Sequence, residues 1–355
     1  MKNRSTTTWL EIRAGERAIA QLRERGLAPA DVRCVPAAAG GPKGLALLPL
    51  DRRLHEHWLR DASSLSLVGA SIGAWRMAAL AQPDALGALE RLQHAYVREQ
   101  NYRPNPGPAD VSAVIRGLAR AVLGARPLAL RPGVSLDVLT SRARGQLVGR
   151  NDRAAFVRAA AANAIGRPRL AGHLERVVFH AGAPSPFAQP FDAFGLTRIA
   201  LAAANAEDAL LASGSIPLVS APVRDIDGAP LGDYWDGGVI DYHLCLPYAR
   251  QQGITLFPHF VPHVTPGWLD RFLPWRKSVR GHPWLDNVLL IAPSRAFLDT
   301  LPERKLPDRN DFYRFGTDHA ARIRSWERAI AQCEGFADAA MEWLSNPRLE
   351  RVRPL

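Results

Sequence analysis

An α/β fold built on a largely parallel sheet is what this 355-residue chain predicts, and three observations carry the expectation. Apolar, β-branched runs alternate with longer segments of helical periodicity. Two glycine-rich turns, GGPKG at 40–44 and GASIG at 69–73, each fall between a strand-like run and a helix-like one. The chain is 47% hydrophobic, enough to bury a sizeable core.

The elements follow in order. Residues 1–31 read as a helical lead-in. VRCV (32–35) reads as a strand, followed by the first glycine turn and a helical stretch, LALLPLDRRLHEHWLR. LSLV (65–68) reads as a second strand; after the second turn, IGAWRMAALAQ reads as a helix that stops before Pro83. Residues 84–175 read as a mainly helical insertion, since LGALERLQHAYVREQ and VSAVIRGLARAVLG both have helical periodicity. Strand signals return at 177–180 and 197–201, and AEDALLASG makes a short helix. The polar turn RDIDGAPLGDYWDGG separates two extended pieces, ITLFPHF and NVLLIAP supply two more strands, and HAARIRSWERAIAQCEGFADAAMEWL forms a long closing amphipathic helix. The expected organisation is a core of 32–250, with residues 251–355 as a C-terminal extension.

Composition narrows the function classes. The formal charge is +11, and because the only lysines are Lys2, Lys43, Lys277 and Lys305, arginine carries it. These arginines are dispersed, so no nucleic-acid partner is expected, whereas an anionic membrane surface attracts diffuse charge without a groove. No window is apolar enough to span a bilayer, and the charged N-terminal stretch does not resemble a signal peptide, which points to a cytoplasmic protein. Cys34, Cys245 and Cys333 are far apart and lack metal or disulfide spacing; reduced, buried thiols are expected. His259 and His263 adjoin Pro258 and Pro262, so no helix presents them together, and neither metal nor cofactor is expected.

Chemistry concentrates in three places. In GASIG, Gly69 and Gly73 flank Ser71 at a strand-to-helix turn, the setting of a nucleophile held in a strained conformation beside the positive end of a helix. The same pattern also occurs as a plain tight turn. In GGPKG, Gly40, Gly41, Lys43 and Gly44 form a loop whose amides suit a small anion, and it lacks the spacing of a P-loop. In YWDGGV, Asp236 followed by Gly237 and Gly238 reads either as a hairpin turn or as a general base for Ser71.

Together, in this order, these segments resemble the patatin-like phospholipase family: a glycine-rich oxyanion loop, a Gly-x-Ser-x-Gly elbow and a distant Asp-Gly-Gly. ALLASGSIPLVSAPV (209–223) is similar to the family's Ala-Ser-x-x-x-Pro segment. The resemblance spans about residues 32–250. It implies a three-layer α/β/α sandwich with a mostly parallel central sheet. It also implies a Ser71–Asp236 dyad that hydrolyses lipid acyl esters through an acyl-enzyme, with the amides of Gly40 and Gly41 as oxyanion donors. Two features depart from the pattern: Ala38 and Ala39 stand where the family has Asp-Gly, and Pro42 has no N–H to donate.

Alternatives follow from the same residues. His243, His259 or His263 would complete a triad in α/β-hydrolase order. The dyad would equally serve an acyltransferase, and a non-catalytic lipid-binding protein would keep the fold alone. Finally, VTPGWLDRFLPWRKSVRGHPWL (264–285) mixes Trp268, Phe272, Leu273, Trp275 and Trp284 with Arg271, Arg276, Lys277 and Arg280, a combination suited to a headgroup boundary or to ordinary packing under the sheet.

Overall fold

The structure, a computed structural model, describes residues 6–125, 127–185, 187 and 189–355; the first five residues of the segment considered as a signal peptide lie outside it. Eleven strands form one sheet: β1 (Leu10–Ala14), β2 (Val32–Ala37), β3 (Leu65–Ala70), β4 (Val134–Ala143), β5 (Leu174–Ala181), β6 (Leu196–Ala200), β7 (Val223–Arg224), β8 (Asp233–Asp236), β9 (Ile254–Pro258), β10 (Val288–Pro293) and β11 (Val352–Pro354). The helices are α1 (Glu16–Arg25), α2 (Leu48–Leu54), α3 (Ile72–Ala81), α4 (Ala85–Arg98), α5 (Pro108–Leu123), α6 (Arg153–Ile165), α7 (Ala206–Gly214), α8 (Arg295–Leu298), α9 (Asn310–Phe315) and α10 (His319–Ser345).

The main path runs β11-β1-β10-β9-β2-β3-β4-β5-β6. Its centre, β10 through β4, is parallel, while β1/β10, β4/β5 and β4/β8 are antiparallel, so this α/β fold has a mixed, mostly parallel sheet. Strands such as β10 are buried along their whole length, as expected when both faces of a sheet are covered. Every residue of α3 is buried as well, and Arg76 on it makes a fully buried bidentate ion pair with Asp51 on α2 at 2.6 and 2.7 Å. In α10, Trp326, Ile330, Cys333, Ala337 and Ala340 recur at helical spacing and are buried, and this helix packs on α2. No helix among the described residues is long and apolar enough to cross a membrane.

The structure differs from two of the sequence expectations. The stretch taken as a helical insertion contains β4, a ten-residue strand that pairs with β3, β5 and β8. It was hidden by its polar residues, which are buried and satisfied: Asp137 meets His180 at 2.7 Å, Thr140 Oγ1 donates to the Val177 carbonyl, and Ser141 Oγ donates to the Asp236 carbonyl. The lead-in contains a strand, β1, before its helix. The strands of residues 251–355, β9, β10 and β11, lie in the same sheet as those of 32–250.

Sheet register explains how distant residues meet. β3 lies along β4 as far as Ala70 opposite Leu139, while β5 occupies the other edge of β4 from Leu136 to Ala143. β8 pairs with β4 at Thr140 to Arg142, so it must share the edge that β3 has just left, and it arrives antiparallel with Asp236 opposite Thr140. The C-terminal ends of β3 and β8 therefore meet head to head on β4. Ser71 and Asp236 are the residues at that junction.

Candidate active site

Ser71 stands between β3 and α3 with φ 57° and ψ −132°, a conformation that non-glycine residues rarely adopt. Close packing holds it there. A Cβ at Gly73 would overlap the Ala37 carbonyl, and one at Gly69 would strike the backbone of Gly73 and Ala74. The Ser71 N–H donates to Ser213 Oγ at 2.9 Å, and that hydroxyl donates to the Leu139 carbonyl at 2.7 Å, which ties the turn to both α7 and β4. Ser213 belongs to the ALLASGSIP segment, so the sequence marked its position without disclosing this role.

Asp236 ends β8, and its carboxylate accepts from the Gly238 N–H at 2.7 Å. The Ser71 side chain bears on the same carboxylate, and the two residues line one cavity. Burial pushes the carboxyl up from 3.8 to about 6, against the hydrogen bonds from Ser71 and Gly238 and the charge of Arg309. The two glycines after it are shaped by contact: a Cβ on Gly237 would strike the Leu139 carbonyl, and one on Gly238 would come within 2.6 Å of Ala39 Cβ on the first glycine loop.

That loop leaves β2 and enters a 3-10 turn at Gly41–Leu47, with Gly41 at φ 57°. Gly40 packs against the Phe260 ring. Gly40, Gly41 and Lys43 line a cavity of about 240 Å³ together with Ser71, Asp236 and Gly238. Gly44 does not reach the wall, because it packs against Ile72 at the start of α3. Gly40 and Gly41 line the cavity, and neither amide donates to a protein carbonyl or side chain among the described residues.

The rest of the wall includes Trp268, Arg271, Asp308, Arg309 and Tyr313, all from residues 251–355. Nothing local in the sequence signalled Asp308, Arg309 or Tyr313 as cavity residues; they reach the cavity through the tertiary fold. Burial holds the Lys43 ammonium below the ordinary lysine range, opposed by Asp308 and assisted by Arg271 and Lys305.

Among the described residues, no histidine lines the cavity. His243 and His259 are buried beside Phe260, and their Nδ1 atoms accept from the backbone N–H groups of Thr265 and Val261. Burial holds His243 well below 6.5 and His259 down to about 3, so both rings are neutral. His263 tilts against His243 with its centroid 6.0 Å away. Cys34, Cys245 and Cys333 are buried free thiols. In the segment 264–285, Trp284 packs edge-on against Phe191, while Phe272 and Trp275 are 59% and 70% exposed.

Chemically, the cavity joins a hydroxyl on a strained turn, a carboxylate poised to take its proton, and unpaired amides beside both. Compared with protein-family models and with curated proteins, the chain matches none.

Proposed function

We propose that the protein is a serine acyl hydrolase of the patatin-like kind, cleaving acyl esters of lipids on a three-layer α/β/α sandwich. The observation that carries this reading is the meeting of Ser71, on its strained turn, with the Asp236 carboxylate in one cavity. Asp236 is mostly ionised at neutral pH and accepts the Ser71 hydroxyl proton as Oγ attacks the acyl carbon. The tetrahedral oxyanion takes the N–H groups of Gly40 and Gly41, and the positive end of α3 favours the same charge. As the carbon–oxygen bond to the alcohol breaks, Asp236 returns its proton to the leaving oxygen and the acyl-enzyme remains. Water then attacks the acyl carbon and passes a proton to Asp236; collapse releases the carboxylic acid and restores Ser71.

The exposed rings of Phe272 and Trp275, in a segment that also carries Arg271, Lys277 and Arg280, and the exposed ring of Tyr313, which lines the cavity with Arg271, support docking on an anionic membrane. Hydrolysis of a short-chain chromogenic ester tests the catalytic reading. Wild type is expected to turn over, and Ser71→Ala and Asp236→Asn to fall by at least 100-fold each, within the span of a positioned base. Undiminished turnover by either variant removes that residue from the mechanism.

A further inference from the structure

Two side chains from outside the three glycine-bearing motifs converge on Gly41. The point a Cβ on Gly41 would occupy lies 3.7 Å from both Tyr96 Oη and Arg309 Nε, and 3.8 Å from Arg309 Cγ. Tyr96 belongs to α4, and Arg309 immediately precedes α9, so two elements remote in sequence support one residue of the first glycine loop. Tyr96 is buried in ring contact with Trp75 and Trp326. Arg309 reaches further, because it also lines the cavity with Ser71 and Asp236.

The turn that carries Arg309 is fixed on both sides. The buried Asp311 carboxylate accepts from Trp326 Nε1 on α10 at 2.9 Å, from the Asp308 N–H at 2.9 Å and from Lys305 Nζ at 2.7 Å. The Asp308 carboxylate accepts from the Asn310 N–H at 2.9 Å and pairs with Lys305 at 3.1 Å. Phe312 packs edge-on against Trp326 and Tyr102. A charge mounted on backbone held in this way needs little reorganisation when negative charge develops near it.

Charge distinguishes the two supports of Gly41. Lys43 of the glycine loop, Arg271 of the turn at 268–272, and Asp308 and Arg309 all line the cavity. The Tyr96 and Tyr242 hydroxyls also bear on Asp236, but burial pushes both up, so they are neutral across the acid range. From β4, the Ser141 hydroxyl donates to the Asp236 main-chain carbonyl. Lys43 stands over the Phe260 ring at 5.4 Å and is opposed by Asp308, while Arg271 rests on Trp268 and Phe272. Arg309 is the cation whose charge favours the ionised Asp236 carboxyl, alongside Ser71 and Gly238 and against burial.

We propose that Arg309 is a positioning residue of this site, which braces Gly41 and supplies, from outside residues 32–250, a fixed positive charge for the Asp236 carboxylate and for the oxyanion at the loop. The catalytic consequence rests on the hydrolase reading; the coupling of Arg309 to Asp236 does not.

Two measurements on the full chain separate them. In the first, the Asp236 carboxyl is titrated by carbon NMR, its signal assigned by its loss in Asp236→Asn. The wild-type midpoint is expected at about 6. Arg309→Gln removes the charge and should raise the midpoint by about one unit, the low end of what an opposite charge contributes. Arg309→Lys keeps the charge and should stay near the wild-type value. Tyr96→Phe alters the other contact with Gly41 without altering charge, so its midpoint should also stay, which separates charge from loop packing. Arg309→Met, which keeps the apolar stem, carries the same test where Arg309→Gln does not fold. In the second, kcat/KM for 4-nitrophenyl butyrate is followed against pH. The acid limb should move up with the midpoint in Arg309→Gln, and kcat above the limb should fall about tenfold with KM little changed, as for an interaction made in the transition state. A midpoint in Arg309→Gln equal to wild type, or moved as far by Tyr96→Phe, overturns the proposal and leaves the hydrolase reading intact. A midpoint that follows the charge at 309 in a chain that turns over no ester sinks the hydrolase reading and keeps the coupling.

Discussion

Replacing Asp236 with asparagine should change both the pH profile and the pH dependence of stability, because burial holds this carboxyl at about 6 instead of 3.8. For catalysis, the base is the ionised form, so kcat/KM should climb about tenfold per pH unit below 6 and level off above it. For stability the direction is opposite. Between pH 3.8 and 6 the unfolded chain loses this proton before the folded chain does, so folding weakens as pH rises through that window. A shift of about two units corresponds to about 3 kcal/mol at 1.36 kcal/mol per unit. Asp236→Asn lacks the titration, so between pH 4 and pH 7 the stability of the variant relative to wild type should rise by about 2 kcal/mol, the rest of the change falling below pH 4. Denaturant melts of both proteins across that range measure the difference, which cancels the other titrating groups. A constant difference would refute the desolvation of Asp236. A limb near pH 6 that persisted in any residual activity of Asp236→Asn would assign the base to another group.

Further consequences follow from packing. Gly73→Ala puts a methyl into the Ala37 carbonyl and should cost about 1–3 kcal/mol by overpacking, with loss of ester turnover; a melting temperature equal to wild type would mean the turn is looser than described. Ser213→Ala leaves the Ser71 N–H and the Leu139 carbonyl without their buried partner and should destabilise by about 1–3 kcal/mol, readable in denaturant melts. Arg76→Met strands the buried Asp51 carboxylate and should cost about 3–5 kcal/mol; a double Arg76→Met, Asp51→Leu variant should recover much of that loss. Sedimentation with anionic vesicles at low salt should fall when Phe272 and Trp275 are both changed to serine, and unchanged sedimentation would place the membrane contact elsewhere.

The parts of the site that sequence made legible are those with local geometric demands. A serine forced to φ 57° needs small neighbours, and so Gly69 and Gly73 showed themselves; Gly237 and Gly238 did so for the same reason of close backbone approach. What was not legible depends on partners far along the chain. VSLDVLTSRA has too many polar residues to read as a central strand, yet β4 buries them because His180, Val177 and Asp236 satisfy them, and β4 is the strand on which Ser71 and Asp236 meet. β1 and β11 escaped notice because five and three residues carry little periodicity. Arg309 and Tyr313 lie in a polar stretch that has no motif, and only the fold turns them toward the serine.

The dyad is tested most directly by covalent capture. Wild-type protein incubated with a fluorophosphonate and digested should yield one modified peptide, carrying the adduct on Ser71, with labelling that slows below about pH 6 as Asp236 takes up its proton. An adduct on any other residue, or equal labelling of the Ser71→Ala protein, would contradict the assignment of Ser71 as nucleophile.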